Sequence, residues 1–191
     1  PIGIKGNFSA SYRQPETEAL ERFLSHAGIT TVGLAPNAKL EGGEVHYSPA
    51  DRIYFGGLHR ANEAGHKAVV ELGSIDRNDV CLVESGGFHL DTVLVPALDV
   101  HGKVAAVLAA PEVVHPKSWE KLARFTKAHG AQLLEIDATD SIGTGDGSDG
   151  TYAVNCMPLP GYLLGNGVFQ TPGIEEELRQ LGIKHFHAPL P

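Results

Sequence analysis

Ser85-Gly86-Gly87-Phe88-His89-Leu90-Asp91-Thr92-Val93-Leu94-Val95 is the stretch whose reading decides the fold. A glycine pair leads into a β-branched, aliphatic run that carries a histidine and an aspartate two residues apart. Read as a strand, the run turns residues i and i+2 to one face. His89 and Asp91 are then expected side by side, with Leu90 and Thr92 facing the other way. A proton carrier beside an acceptor-only carboxylate, with glycines allowing close backbone approach, suits chemistry. The same pattern also describes a satisfied polar pair on a half-buried strand, and the residues alone leave both readings open.

Outward from this stretch the chain repeats itself. Before it, residues 44–47 and 52–55 read as two strands joined through Ser48-Pro49-Ala50-Asp51, followed by a helix over 61–72 and a strand over 80–83. After it come strands over 92–98 and 103–108 joined at Asp99-Val100-His101-Gly102, a helix over 117–129 stopped by Gly130, and a strand over 132–136. The order returns with strands over 152–157 and 162–164 around Pro160-Gly161, a helix over 174–181 stopped by Gly182, and a strand over 184–187. The opening strand (2–5), helix (15–27, with Leu20, Phe23 and Leu24 as its apolar stripe) and strand (29–34) match the rear of a further unit. The period is roughly 50 residues. Units of this kind, α/β in class and ββαβ in order, bury their sheets only against one another, so they are expected around a common axis with hairpins inside and helices outside. Closing such a ring removes its free edges.

Bulk properties bound the function. The 191 residues suit one domain with a sizeable core, and 42% hydrophobic with 20% charged residues is an ordinary globular composition. A net charge of -8 argues against nucleic acid or an anionic membrane as the main partner and fits a cationic ligand. No apolar run is long enough to span a membrane, and Pro1-Ile2-Gly3-Ile4 has no basic leader. The start at Pro1 instead of Met points to a processed chain or a fragment. Cys81 and Cys156, both in apolar runs and outside CxxC spacing, make no disulfide framework and read as core thiols of a cytoplasmic protein. Ten histidines occur without HExxH or regular His/Cys spacing, so no metal site is expected. Residues 140–150 (DSIGTGDGSDG) read as a polar loop that lacks the basic residue of a phosphate cradle.

Two further clusters carry candidate chemistry. Glu41-Gly42-Gly43-Glu44 sets two carboxylates around a glycine bend, where they can be aimed inward or left as an exposed acidic turn. His59-Arg60-Ala61-Asn62 places an arginine where a strand gives way to a helix, able to grip a carboxylate by two hydrogen bonds or to stay solvated.

Taken together, Glu41-Gly42-Gly43-Glu44, His59-Arg60-Ala61-Asn62, Phe88 to Thr92, Asn7-Phe8 and Arg13-Gln14-Pro15-Glu16 resemble the recurring marks of the penteins. This superfamily comprises the amidinotransferases, dimethylarginine dimethylaminohydrolases and arginine deiminases, and the resemblance runs along the whole chain. It implies five ββαβ units around a pseudo-fivefold axis, an α/β propeller of which residues 1–191 form the central part of one domain, incomplete at both ends. It also implies a cysteine thiolate attacking the guanidinium carbon of arginine or a methylated or decarboxylated relative, with no metal or organic cofactor. By the same resemblance His89 is the general acid/base, and Glu41 holds the guanidinium and orients His89. Asp91 bonds substrate nitrogens, Arg13 and Arg60 take the α-carboxylate, and Asn155 matches a recurring position. Glu44 stands where aspartate is commoner, which weakens its implied substrate contact. The nucleophile is expected beyond Pro191. Amidino transfer and a non-catalytic binding protein on the same fold, such as the penteins that bind ribosomal subunits, are the alternatives, with a purely structural repeat protein behind them. Closed repeat folds of this size often pair as homodimers.

Overall fold

The hairpin turns and helix stops become four small sheets in the computed structural model, which describes residues 2–143 and 149–188. Strand β1 (Ile2–Lys5) pairs in parallel with β2 (Thr30–Gly33) across helix α1 (Gln14–His26). Three complete units follow. In the first, β3 (Val45–Ser48) and β4 (Ile53–Gly57) form an antiparallel hairpin, and α2 (Glu63–Leu72) leads to β5 (Val80–Val83), parallel to β4. The second has hairpin β6 (Leu94–Leu98) and β7 (Val104–Ala109), α3 (Pro116–Ala128) and β8 (Gln132–Glu135). The third has hairpin β9 (Met157–Leu159) and β10 (Tyr162–Gly165), α4 (Ile174–Gln180) and β11 (Lys184–His187). The ββαβ order read from the turns is thus the order of the structure.

Local chemistry sets these boundaries. Asn62 caps α2 by accepting the Gly65 N–H at 2.9 Å, which satisfies one of the donors a helix start leaves orphaned. Pro15 and Pro116 occupy the first turns of α1 and α3, where their missing N–H costs nothing. Gly130, at φ +71°, ends α3 in the left-handed conformation that a side chain would resist.

Packing explains why the middle unit reads as almost continuously apolar. Strands β6 and β7 are buried on both faces: Leu94 and Val107 face Phe55, Cys81 and Val83, whereas Val95 and Leu108 face Val154, Leu163 and Leu178. A sheet with two covered faces needs no polar alternation. The last sheet differs. Leu163 is buried, but Tyr162 and Leu164 lie on its opposite face, in register with Leu159 and Met157 on β9, and Leu164 is also in register with Phe186 on β11. All five are exposed, Met157 by 62% and Phe186 by 54%.

Two expectations from sequence need correction. Of the strand expected over 152–157 only Met157 is in a strand, as the first residue of β9; before it the chain turns, with Tyr152 at φ +55°, and Ala153, Val154 and Cys156 plug the core as loop residues. A short apolar run cannot by itself distinguish a buried strand from a buried loop. The apolar stripe of α1 is also only partly its buried face. Leu20 and Phe23 are exposed, and the helix meets its sheet through Thr17 and Leu24, two turns apart. Of the loop at 140–150, residues 144–148 lie outside the described residues.

Candidate active site

Glu41 and His89 come together because each immediately precedes a single turn of tight helix at the entrance to a hairpin. Gly42–Glu44 forms the turn before β3, and Leu90–Thr92 the turn before β6. His89 and Asp91 therefore do not share a strand face, contrary to the period-two reading; the strand begins only at Leu94. They converge by another route. A Cβ built on Gly43 would lie 2.8 Å from both Asp91 Oδ2 and His89 Cγ, so both side chains close over that glycine and only glycine fits beneath them.

Glu41 is the hub of the cluster and is 2% exposed. Its Oε1 accepts the Ser9 N–H at 3.1 Å and the Ser9 hydroxyl at 2.7 Å. Its Oε2 accepts His89 Nε2–H at 3.0 Å and Arg13 Nη1–H at 3.2 Å. Burial raises the Glu41 pKa, but the bonds from Ser9 and His89 and the charge of Arg60 outweigh it and hold the group below the usual carboxylate range. An ionised carboxylate can only accept, so Nε2 carries the imidazole proton and Nδ1, on the Gly43 and Asp91 side, is the nitrogen able to exchange one.

Asp91 is the unsatisfied member. Among the described residues its buried Oδ1 has no hydrogen-bond donor, and burial pushes its pKa up, opposed by His89 and reinforced by Glu44. A buried acceptor with no donor is a place prepared for one.

The two arginines differ. Arg60 stacks over the exposed Phe88 ring at 4.3 Å, its Nε is buried without a partner 3.8 Å from Glu41 Oε1, and the Phe88 ring in turn meets the His89 edge at 4.4 Å. Arg13 lies over Phe8 at 4.2 Å and is forked onto Glu16 through Nε and Nη2, both at 2.9 Å, while Nη1 reaches Glu41.

Glu44 takes a different part from the substrate contact that the resemblance implies. It is fully buried; one oxygen accepts the backbone N–H of Arg60 and the other that of Leu90 at 3.1 Å, so it ties the exit of β4 to the turn that carries His89 and Asp91. Asn155 is exposed in the turn before β9, its N–H bonded to the Tyr152 carbonyl at 3.0 Å. Cys81 is in β5 and Cys156 packs between the last sheet and α4, with burial pushing the thiols up to about 11 and about 12. Cys156 lies 3.8 Å from His185 Nε2, and His185 Nδ1 is bonded to Glu175 at 2.7 Å, but a thiol held so far above neutrality is not poised to attack.

A cleft of about 510 Å³ between His59, Ser85-Gly86 and His115 is lined by none of Glu41, Arg60, Phe88 or His89. Among the described residues, no group of three or more His, Cys, Asp or Glu side chains is arranged to hold a metal ion, and no helix is long and apolar enough to cross a membrane. Sequence reasoning missed Ser9 and Phe88. The signal for Ser9 was its place directly after Asn7-Phe8; that for Phe88 was an exposed aromatic between two glycines and His89.

The overall fold is similar to that of solved guanidino-modifying enzymes. The chain has the pentein fold. The N-terminal domain of ArgZ, an arginine dihydrolase from the ornithine–ammonia cycle in cyanobacteria, bound to its substrate, superposes with a TM-score of 0.78 at 18% identity, covering 99% of this chain and 64% of that one. A variant of the same domain covalently bonded to a reaction intermediate gives 0.76, at the same identity and coverage. A dimethylarginine dimethylaminohydrolase adduct with S-methyl-L-thiocitrulline gives 0.66 at 19% identity, covering 97% of this chain and 63% of that one. The chain thus spans just under two thirds of these neighbours. No protein-family model matches it, and no curated protein matches its sequence.

Proposed function

We propose that residues 1–191 form the central part of a pentein enzyme that hydrolyses arginine or a related guanidino compound at the guanidinium carbon. The observation that carries this reading is the buried Asp91 Oδ1 without a donor, beside a His89 oriented by Glu41. A guanidinium is planar, cationic and donates five N–H bonds, which is what acceptor-only carboxylates receive best. Asp91 takes the guanidinium edge, and Arg60, its face stacked on Phe88 and its Nε without a hydrogen-bond partner among the described residues, takes the far carboxylate.

In the reaction a thiolate adds to the guanidinium carbon, the C–N bond to the leaving amine breaks, and His89 supplies the proton that amine carries away. Water, losing a proton to His89, then adds to the amidino carbon, and the sulfur departs as thiolate. The thiolate comes from a further unit following β11. That unit would also cover the exposed face of the last sheet, as the β6–β7 sheet is covered on both faces by its neighbours, and so continue the ring towards the fivefold arrangement. The covalent intermediate captured on the ArgZ domain supports this route by analogy of fold.

The test is turnover of arginine by the complete protein. His89→Ala is expected to abolish it and leave the circular-dichroism spectrum intact; undiminished turnover would sink the assignment. The two buried thiols favour a second reading, binding without turnover, which predicts saturable arginine binding and no product from the complete wild-type protein.

A further inference from the structure

The bond from Arg13 to Glu41 points to a property of the site that the resemblance does not contain. A carboxylate offers about four lone-pair positions. All four on Glu41 are taken, by the Ser9 N–H, the Ser9 hydroxyl, His89 Nε2–H and Arg13 Nη1–H. If Glu41 is to hold a substrate guanidinium, one donor has to leave. The Ser9 bonds, at 3.1 and 2.7 Å, come from one residue anchored by its own backbone. The His89 bond fixes the tautomer that the acid/base role requires. Arg13 remains: its bond is the longest of the four at 3.2 Å, and its side chain is 27% exposed against 17% for His89. It can leave at the loss of one contact, because the fork onto Glu16 and the stacking on Phe8 hold the rest of the group. Arg13 is itself a guanidinium bonded to the oxygen that also orients His89.

We propose that Arg13 is an internal competitor of the substrate: its guanidinium occupies the Glu41 position in the empty site and is displaced onto Glu16 and Phe8 when a guanidinium ligand binds. This rests on the guanidino reading of the site. It assigns Arg13 a role opposite in sign to that of a carboxylate anchor, since an anchor strengthens binding and a competitor weakens it. Internal competition lowers the apparent affinity by the fraction of time the position is blocked. A long ion pair to a partly exposed arginine, weaker than a fully buried charge-assisted bond, sets that factor at about five to ten.

The experiment titrates agmatine, which has the guanidinium but no α-carboxylate, into the complete protein and its Arg13→Met variant by calorimetry, with thermal melts of both. A carboxylate anchor is irrelevant to this probe. About five- to tenfold tighter binding in the variant supports the competitor role, whereas equal or weaker binding, with the wild type binding agmatine, overturns it and leaves the guanidino reading in place. Absence of agmatine and arginine binding to the wild type overturns both. Should Arg13→Met not fold, the wild type provides the readout. The Arg13 guanidinium N–H resonances are expected to shift at saturating agmatine, and resonances that stay in place overturn the displacement.

Discussion

Replacing Asp91 with Asn should make the protein more stable and a poorer binder at once. Asp91 Oδ1 is buried with no donor, a situation that costs about 1–3 kcal/mol, and its pKa is raised by burial. The amide removes the buried charge while keeping the shape, and its own orphaned N–H returns part of the cost, so the net gain at pH 7 is about 1 kcal/mol. The sign with pH follows from linkage. In the window between the ordinary aspartate pKa and the raised folded one, the folded state holds a proton that the unfolded state has released, so wild-type stability falls as pH rises through that window. The advantage of Asp91→Asn is therefore full above the window and disappears below it. Affinity moves the other way: loss of a charge-assisted bond, about 1.5–3 kcal/mol, weakens arginine binding about ten- to a hundredfold. Urea denaturation at pH 7 and at acid pH, paired with arginine calorimetry, reads both. A variant less stable than wild type at pH 7, or one with unchanged arginine affinity, would refute the reasoning that Asp91 is held unsatisfied for a ligand.

Three other outcomes are expected. His46, buried with Nε2 bonded to the Leu94 carbonyl at 3.1 Å, has its pKa lowered by burial from 6.5 to about 4. The unfolded chain protonates it first, so stability present above pH 6.5 is lost by about 3 kcal/mol as pH falls to about 4; urea midpoints of His46→Gln should lack that component, and an identical acid slope in the variant would contradict it. Gly43→Ala places a Cβ 2.8 Å from His89 Cγ and Asp91 Oδ2, so arginine binding should drop at least about tenfold at a stability cost of about 1–3 kcal/mol, and retained affinity would show that the two side chains do not close over that glycine. Cys81 and Cys156, with thiols pushed up to about 11 and about 12, should be inert to a thiol reagent until urea unfolds the chain, so rapid native labelling of either would reopen it as a nucleophile.

The repeat was legible because its punctuation is local. A turn pair, a helix stop and a β-branched run each act through a few neighbouring residues, so the order strand, strand, helix, strand could be read three times without knowing what packs on what. The stretch from Phe88 to Thr92 was legible as chemistry but not as shape. A tight turn and a strand start can share the same sequence, and what selects the turn is a long-range bond, the Leu90 N–H to Glu44 46 residues away. The same distance hid the part played by Glu44, whose partners lie beyond its own hairpin, and hid Ser9, which reaches Glu41 across 32 residues. The exposure of Leu20 and Phe23 was equally out of reach, since a helical pattern shows which residues share a face and not which face meets the sheet.

The repeat also explains why the site stands where it does. Each complete unit opens with a tight turn, and the last residues of these turns, Glu44, Thr92 and Asp140, fall 48 residues apart. Glu44 and Asp140 are both fully buried carboxylates that bind backbone amides leaving the second strand of their hairpin: Arg60 for Glu44, Gln170 and Thr171 for Asp140 at 2.7 and 2.9 Å. Consecutive turns are joined as well, Glu44 to the Leu90 N–H and the Thr92 carbonyl to the Ser141 hydroxyl at 2.6 Å. That position is thus given to holding the units together. Three residues earlier, at the entrance of each turn, stand Glu41, His89 and Asp137, all with extended backbone and again 48 residues apart. Glu41 and His89 are therefore the same position of two successive units, and their 3.0 Å bond is a contact between repeats. A repeated scaffold that locks one position of its turn with buried side chains, a carboxylate in two of the three units, leaves the other free to vary. Two such positions from neighbouring units then meet as a carboxylate and an imidazole without either unit having to change its fold.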